Sequence, residues 1–114
     1  MWLFTTTGFI SIVEHDADHL VVRARDRLSL SLLAQSYDVD IRSTPTADYP
    51  YRLYLSKDQF KNYLHNQAGL IDYKNFKSEV AITRGKSFAN VLAKVWSAMH
   101  GVEDKDARSK NEAK

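Results

Sequence analysis

Arginine and tyrosine side chains alternate with aliphatic ones in two stretches of the chain. Arg23 and Arg25 alternate with Leu, Val and Ala in the first stretch, and Arg52 and Tyr54 alternate with leucines in the second. Successive side chains of a strand point to opposite faces of a sheet. Guanidinium groups beside an aromatic ring on an uncovered sheet face can hold phosphate groups and stack a base. The pattern predicts an anion-binding face, and the alternative is an ordinary solvated face with arginine stems lying over apolar surface.

The segment that precedes the second stretch is the next candidate. It places a carboxylate, two aromatic rings and an arginine around a proline, in the order Asp48, Tyr49, Pro50, Tyr51, Arg52. Loops of this kind can form recognition sites on a rigid sheet. Proline is also common at the start of a strand, where Tyr49 would simply cover the edge of the core. Asp48, Tyr49 and Tyr51 are therefore candidate partner-binding residues, with Tyr49 and Tyr51 supplying stacking or packing.

The third candidate lies in the second half of the chain, where Tyr73, Asn75 and Lys77 alternate. Asn75 and Lys77 would face away from the Tyr73 and Phe76 side of a helix and could reach a ligand. The alternative is a helix with one core face and one solvated face.

Catalytic and metal-binding patterns are poor. His15 and His19 flank two aspartates in a predicted turn, but no third histidine is near in sequence. Gly85-Lys86-Ser87 matches the last three residues of the phosphate-binding loop motif. The earlier glycine of that motif is absent, and the segment follows a predicted helix rather than a strand. His65 has no nucleophile or carboxylate at an informative spacing. The sequence therefore predicts no catalytic residue, no metal site and no cofactor.

Composition limits the class of protein. The chain has 114 residues, 16 basic and 14 acidic side chains, a formal net charge of +2 and no cysteine. Disulfides and thiolate metal sites are excluded. Bulk charge this weak does not by itself indicate nucleic-acid binding. The sequence shows neither a signal-peptide pattern nor an apolar run long enough for a membrane span, so we expect a cytoplasmic protein that makes no membrane contact.

The first half of the chain predicts strands. Residues 9–14 and 20–25 should form a hairpin, and the first strand could begin as early as Trp2 with a bend at Gly8. Residues 26–37 fit both strand alternation and a helical stripe of Leu28, Leu32 and Leu33, and we favour a helix. Two further strands are predicted at 39–43 and 51–55, on either side of a loop over 44–50.

The second half of the chain predicts three helices. Ser56 and Gln59 match a capping box, and Gly69 would end that helix. Asp72 and Ser87 would cap the other two, with a break at residues 84–86. The last helix carries apolar residues at 88, 91, 92, 95, 96 and 99 and should end at Gly101. If Trp96 is a core anchor there, Trp96→Ala should cost roughly 3–5 kcal/mol.

The order of these elements predicts an α+β fold. It would be a two-layer sandwich in which helices cover one face of an antiparallel sheet of about four strands, in the order β-β-α-β-β-α-α-α. Residues 1–101 would form a single domain, and residues 102–114, which are highly charged, a disordered tail.

Three stretches of this sequence form a recognisable set. They are Met1-Trp2-Leu3-Phe4-Thr5 with Gly8-Phe9 and Ser11; Ala47-Asp48-Tyr49-Pro50-Tyr51-Arg52; and Ile71-Asp72-Tyr73 with Asn75-Phe76-Lys77, ending at Val95-Trp96. Together they resemble a family of short bacterial proteins that carry no assigned function. The resemblance covers roughly residues 1–100 and implies a bacterial or bacteriophage origin and a free-standing domain. It implies no activity, cofactor or partner.

Three functions follow as hypotheses. The first is a non-enzymatic binding module that contacts an anionic partner, either nucleic acid or an acidic protein surface, through the arginine-bearing face. The second is a protein-interaction or homodimerisation domain, including a regulator or inhibitor from a phage or mobile element. The third is a small enzyme that uses arginine, tyrosine and His65 in a pocket between sheet and helices.

Overall fold

The structure, a computed structural model, describes residues 1–107 and is built around one antiparallel sheet. Its strands are β1 (Trp2–Thr5), β2 (Gly8–Glu14), β3 (His19–Ala24), β4 (Arg42–Ser43) and β5 (Tyr51–Ser56). They lie in the order β1-β2-β3-β5-β4, and every neighbouring pair is antiparallel. The predicted α+β fold with an antiparallel sheet is confirmed, and the sheet has five strands.

The additional strand arises at the start of the chain. Residues 2–14 form two strands joined at Thr6 and Thr7, rather than one strand with a bend. Gly8 starts β2 with a φ of +152°, and a Cβ atom there would lie 2.1 Å from the hydroxyl oxygen of Ser29. The amide of Phe9 donates a hydrogen bond to the same hydroxyl, at 3.3 Å. The chain can therefore turn at this point only because residue 8 has no side chain.

The fourth strand is shorter than predicted. Residues 39–43 pair only at Arg42 and Ser43. Asp38 adopts a left-handed φ of 51°, and the next residues pack Val39 and Ile41 against the core instead of extending the strand. The two strands at the centre of the sheet, β3 and β5, closely match their predicted bounds.

Over residues 1–107, four helices accompany the sheet. They are α1 (Leu28–Tyr37), α2 (Lys57–Gly69), α3 (Phe76–Arg84) and α4 (Lys86–Ala98), and a 3₁₀ turn over Met99–Val102 follows α4. The ambiguous segment 26–37 is therefore a helix. It buries Leu30 and Leu33, whereas Leu28 is 63% exposed and Leu32 is 39% exposed, so the predicted stripe is only partly correct.

Helix α2 begins as predicted but does not end as predicted. The capping box is present, because the Ser56 hydroxyl accepts from the Gln59 amide and the Gln59 side chain accepts from the Ser56 amide. Gly69 is wrong as the terminating residue. The prediction places it just past the helix as the C′ residue, but it is the last residue of α2, and Leu70 follows it as the C-cap in a right-handed conformation.

The predicted caps of the last two helices are also wrong. Asn75, not Asp72, caps α3, and its side-chain oxygen accepts from the Ser78 amide at 3.0 Å. Helix α4 begins one residue before Ser87, directly after Gly85, whose φ is +92°. The break at residues 84–86 is thus reduced to a single glycine, which shortens the connection between α3 and α4. The last helix ends before Gly101, which lies in the 3₁₀ turn.

Helices α1 and α2 cover one face of the sheet and form the main core with it. The fully or almost fully buried members of this core come from β2, β3, β5 and the two helices: Ile10, Ile12, Val22, Ala24, Leu30, Leu33, Leu53, Leu55, Phe60 and Tyr63. Burial of these side chains accounts for most of the hydrophobic stabilisation of the domain.

Helices α3 and α4 pack against each other and form a smaller core. Its buried residues are Val80, Ala89 and Leu92, and Phe4 of β1 packs against them. Trp96 is not part of this core: it is 62% exposed, so its prediction as a core anchor is wrong. Because α3 spans only nine residues, the end of α4 extends past the buried part of the pair.

The described region contains no helix that could cross a bilayer, since none is both long and apolar enough. Of the predicted disordered tail, Val102 closes the 3₁₀ turn and residues 108–114 lie outside the described part of the chain.

Candidate functional site

Three arginines occupy one row across neighbouring strands. Arg23 of β3 lies directly opposite Arg52 of β5, and Arg52 lies directly opposite Arg42 of β4. Residues directly opposite each other in adjacent strands share a face of the sheet. We call Arg23, Arg42 and Arg52 the arginine row. With strands about 4.8 Å apart, the row spans roughly 10 Å of the sheet.

The arginine row lies on the face that α1 and α2 leave uncovered. Val22 and Leu53, which neighbour Arg23 and Arg52 along the strands, point into the main core, so the arginines point the other way. Arg23 and Arg52 are half-buried and Arg42 is exposed. Arg23, Arg52 and Tyr54 therefore lie on the sheet face opposite α1 and α2. Helices α3 and α4 pack against Phe4 at the β1 edge of this same face.

The guanidinium groups of the row have few protein partners. Arg23 donates from Nη2 to the Ser11 hydroxyl at 2.8 Å. The Nε atoms of Arg23 and Arg52 are buried and find no hydrogen-bond partner in the described part of the chain. Within residues 1–107, no carboxylate forms an ion pair with any of the three. Leaving a buried donor unpaired costs about 1–3 kcal/mol, and such groups in a folded protein require an explanation.

The loop before β5 brings Tyr49 and Asp48 to the same face. The Tyr49 ring is 5% exposed, and the guanidinium carbons of Arg23 and Arg25 lie 4.7 and 4.5 Å from its centroid. Arg25 also donates to the backbone oxygen of Asp48 at 2.8 Å, and its Nη1 lies 3.8 Å from the Asp48 carboxylate. Contacts of this length between a cation and a ring are attractive, so Tyr49 orients both guanidinium groups.

Tyr51 does not join this group. Its position in β5 places it on the opposite face from Arg52, where it packs against the main core. The guanidinium carbon of Arg27 lies 5.9 Å from its ring centroid. Tyr51 therefore has no access to a ligand on the arginine row.

A cleft of about 510 Å³ opens at one end of the row, lined by His15, Asp16, His19, Arg42 and Tyr54. The His15 and Tyr54 ring centroids are 4.7 Å apart, and the guanidinium carbon of Arg42 lies 5.7 Å from the Tyr54 centroid. The cleft is shallow and open to solvent, and it combines an arginine with the rings of His15 and Tyr54.

Asp16 has a structural role in this cleft. Its carboxylate accepts from the amides of Asp18 and His19, at 2.9 and 2.8 Å, and from the His19 ring nitrogen at 2.9 Å. The Asp18 hydrogen bond, followed by that from the His19 ring, lowers the pKa of Asp16. In the described part of the chain, no three His, Asp or Glu side chains are grouped in a way that would hold a metal ion. His15 and His19 belong to a hydrogen-bonded turn and an aromatic contact.

Tyr73, Asn75 and Lys77 lie elsewhere, at the start of α3. The Asn75 side chain caps the helix, and the Tyr73 ring centroid is 6.1 Å from that of Phe76. The Lys77 ammonium lies 5.1 Å from the Trp96 centroid. Asn75 and Lys77 line a groove of about 400 Å³ against α4, so the structure separates this candidate from the arginine row.

A second groove, of about 520 Å³, adjoins the first and lies between β1, β2 and α4. The two grooves share Phe4, Leu92 and Val95. At its other end the second groove reaches Arg25 and Asp26. Together the grooves form one apolar depression, which we call the α4 trough.

The negative charge of Asp26, at the end of this trough, is compensated by the positive charge of Arg84. It accepts from the Ser29 hydroxyl and forms an ion pair with Arg84, which also donates to the backbone oxygen of Thr7 at 2.7 Å. Burial by itself would raise the pKa of Asp26, but the hydrogen bond from Ser29 and the contact with Arg84 together hold it below its usual value.

Sequence reasoning missed Arg42 and the contact between His15 and Tyr54. Arg42 falls within a predicted strand, but the sequence gives no strand order, so its position beside Arg52 could not be foreseen. It also missed the exposed side chains that form the α4 trough, because an apolar helical stripe is ordinarily read as core.

His65, the proposed acid or base of the enzyme hypothesis, is exposed on α2, and its side chain forms no hydrogen bond or ion pair within residues 1–107.

No protein-family model matches the chain, and the comparisons with curated proteins and with solved structures find no match either. The resemblance to short bacterial proteins therefore stays a prediction.

Proposed function

We propose that this chain is a non-enzymatic binding module whose uncovered sheet face holds the phosphate groups of a single-stranded nucleic acid. The observation that carries the proposal is the arginine row: three guanidinium groups share one face, none has a carboxylate partner in the described residues, and two Nε atoms are buried without an acceptor. Phosphate oxygens are acceptors that suit the planar guanidinium group.

The cleft beside Arg42 favours nucleic acid over an acidic protein surface. Tyr54 and His15 provide aromatic rings next to the cations of the row. Proteins that bind single strands combine a basic track with aromatic side chains on which bases stack. A carboxylate-bearing protein would use the arginines and leave these rings without a role.

The test is the affinity of the full chain for a fluorescein-labelled oligothymidylate, measured by fluorescence anisotropy as salt is varied. Three neutralised phosphates should give a slope of about −2 in log K against log salt, at roughly −0.7 per phosphate for single strands. The triple substitution Arg23→Gln, Arg42→Gln and Arg52→Gln should reduce the affinity at low salt and flatten the slope.

The matched control removes three exposed cations away from the row, Arg27→Gln, Lys61→Gln and Lys94→Gln. It lowers the net charge equally, so an equal loss of affinity in both triples would contradict a localised site. Tyr54→Leu should weaken binding by at least about fivefold with the salt slope unchanged, and Tyr54→Phe should retain affinity. Binding of poly-glutamate but not of the oligonucleotide would show that the partner is an acidic protein instead.

A further inference from the structure

Large apolar side chains are exposed along α4 and at the start of β1. Trp2 is 69% exposed, Trp96 62% and Val91 57%, and Val95 and Met99 are also exposed. Single exposed apolar residues are normal, but a contiguous group of this kind marks an interaction surface in a soluble domain. Trp is also one of the residues most enriched where binding energy is concentrated in interfaces.

The exposed side chains surround a concave surface rather than a flat one. The α4 trough runs between the β1–β2 pair and α4, and then between α4 and the start of α3. Its floor is formed by Phe4 and Phe9, whose stacked rings are 4.6 Å apart, and by Leu92, which is almost fully buried. The floor is therefore fixed by packing, while Trp2 and Val91 on its sides stay accessible.

The charges around the trough are positive. Arg25 lies at one end, and Lys74 and Lys77 lie at the other. Neither lysine forms an ion pair within the described residues. Arg25 donates to the backbone oxygen of Asp48 at 2.8 Å, but its Nη1 lies 3.8 Å from the Asp48 carboxylate, so its charge is only weakly paired. Among residues 1–107, Asp26 is the one carboxylate that lines the trough, and it is held by Arg84. An occupant must consequently be apolar in the middle and acidic towards its ends.

We propose that the α4 trough binds a peptide segment of a partner protein whose apolar centre is flanked by Asp or Glu side chains. The apolar residues of the segment would cover Phe4, Val95 and Trp96, and its carboxylates would pair with Arg25 and the two lysines. The trough does not include the arginine row, so the argument for this proposal does not rest on nucleic-acid binding.

A second copy of the chain fits this surface less well. Two-fold pairing of the α4 surfaces would bring the basic residues around two copies of the trough towards one another, and like charges at a contact are unfavourable. The surface that should fill the trough carries the opposite charge, so we assign it to a different protein.

The experiment is selection of a phage-displayed random-peptide library on the immobilised full chain, with depletion on the Val95→Asp variant. Peptides that are recovered should carry apolar residues flanked by Asp or Glu. Synthetic, fluorescein-labelled versions should then lose at least about tenfold in affinity for Val95→Asp, because a charge in the middle of an apolar contact is not compensated. Val91→Asp, a change at a more exposed position, should have the same effect if Val95→Asp does not fold.

Ile82→Asp is the matched control. Ile82 is 78% exposed on α3 and does not line the trough, so this variant should bind the peptides as the unchanged chain does. Lys74→Glu with Lys77→Glu should weaken binding, and a peptide with its acidic residues at that end replaced by lysine should restore it.

Three results would overturn the proposal: no peptide enriched over the Val95→Asp depletion, enriched peptides without acidic flanks, or equal losses in Ile82→Asp and Val95→Asp. A dimer detected by light scattering and dissociated by Val95→Asp would also overturn it, because the occupant would then be a second copy. None of these outcomes bears on the oligonucleotide measurements, so failure of the two proposals can be told apart.

Discussion

The least satisfied polar atoms of the domain belong to arginines on its uncovered face. Arg23 and Arg52 keep buried Nε atoms without an acceptor. Replacing the whole group with an apolar side chain would remove this cost. Local departures from good hydrogen bonding are expected at functional sites, so Arg23 and Arg52 are candidates for one.

Asp26, by contrast, is a carboxylate with both a hydrogen-bond donor, the Ser29 hydroxyl, and an ion-pair partner, Arg84. Its side chain joins the start of α1 to Arg84 at the end of α3. The Arg84 side chain is only 11% exposed, whereas that of Asp26 is 41% exposed. Removing the negative charge would leave a nearly buried guanidinium group without its ion pair.

We therefore predict that Asp26→Asn lowers the free energy of unfolding at neutral pH by about 1.5 kcal/mol, the low end for a charged hydrogen bond because Asp26 is partly exposed. The pKa of Asp26 is lower in the folded chain, so this stabilisation is present above its unfolded value of about 3.9 and is lost as pH falls through the folded value. The two proteins should thus converge in acid. Urea unfolding at neutral and acidic pH measures both effects.

Asp40→Asn, at an exposed position, serves as the control and should change the free energy of unfolding little at either pH. A difference between Asp26→Asn and the unchanged chain that persists undiminished in acid would contradict the assigned ion pair.

Helix α4 illustrates what an amphipathic pattern does and does not establish. The periodicity correctly indicates a helix, but the side that becomes buried depends on how far α3 extends alongside it. Ala89 and Leu92 face α3 and Phe4, whereas Trp96 lies beyond the buried region, in contact with the Lys77 ammonium and the His100 ring. An apolar residue on a helical stripe is core only where a second element covers it.

Trp96→Ala is accordingly expected to cost less than about 1 kcal/mol, in place of the larger loss predicted from the sequence. Leu92→Ala, one turn earlier and 7% exposed, should cost roughly 2–5 kcal/mol because it empties a buried site. Urea melts of the two variants test the difference. Similar losses in both would mean that the tryptophan is covered in the folded domain.

The strands β2, β3 and β5 and the helix α1 were accessible from local pattern, whereas the separate strand β1, the short extent of β4 and the order of the strands were not. Alternation of aliphatic and polar residues correctly separates Val22 and Leu53 from the arginines, because the two faces of a strand meet different surroundings. The burial of Tyr49 depends on a loop that folds back over β3, far away in sequence. Helix caps were harder still, since Asp72 and Asn75 are equally suitable residues and only the path of the chain selects one.

The two hydrophobic cores of the domain differ in size, so its two parts are stabilised to different degrees. Counting the residues that the structure describes, the main core between the sheet and α1 and α2 contains ten buried residues, whereas the core between α3 and α4 contains three. The helical pair is attached to the rest through Phe4 and through the bonds of Arg84 to Thr7, Ser29 and Asp26. Regions with few buried apolar contacts open at a lower free energy than the rest of a protein.

Hydrogen exchange under native conditions should therefore be faster in α3 and α4 than in β3 and β5. Mass spectrometry of peptides from each region measures this, with α2 as the control because it is a helix of the same length as α4 that packs on the main core. If the amides of α4 exchange as slowly as those of β3, the domain unfolds as one cooperative unit and the prediction is wrong.

The Tyr49 side chain contacts both proposed binding surfaces. Its ring contacts Arg23, which belongs to the arginine row, and Arg25, which closes one end of the α4 trough. A ligand that displaces this ring changes the surroundings of both guanidinium groups at once. Heterotropic linkage between two such ligands is symmetric: whatever factor an acidic peptide imposes on oligonucleotide affinity, the oligonucleotide must impose on the peptide. Titrating either ligand in the presence of the other would measure that factor directly.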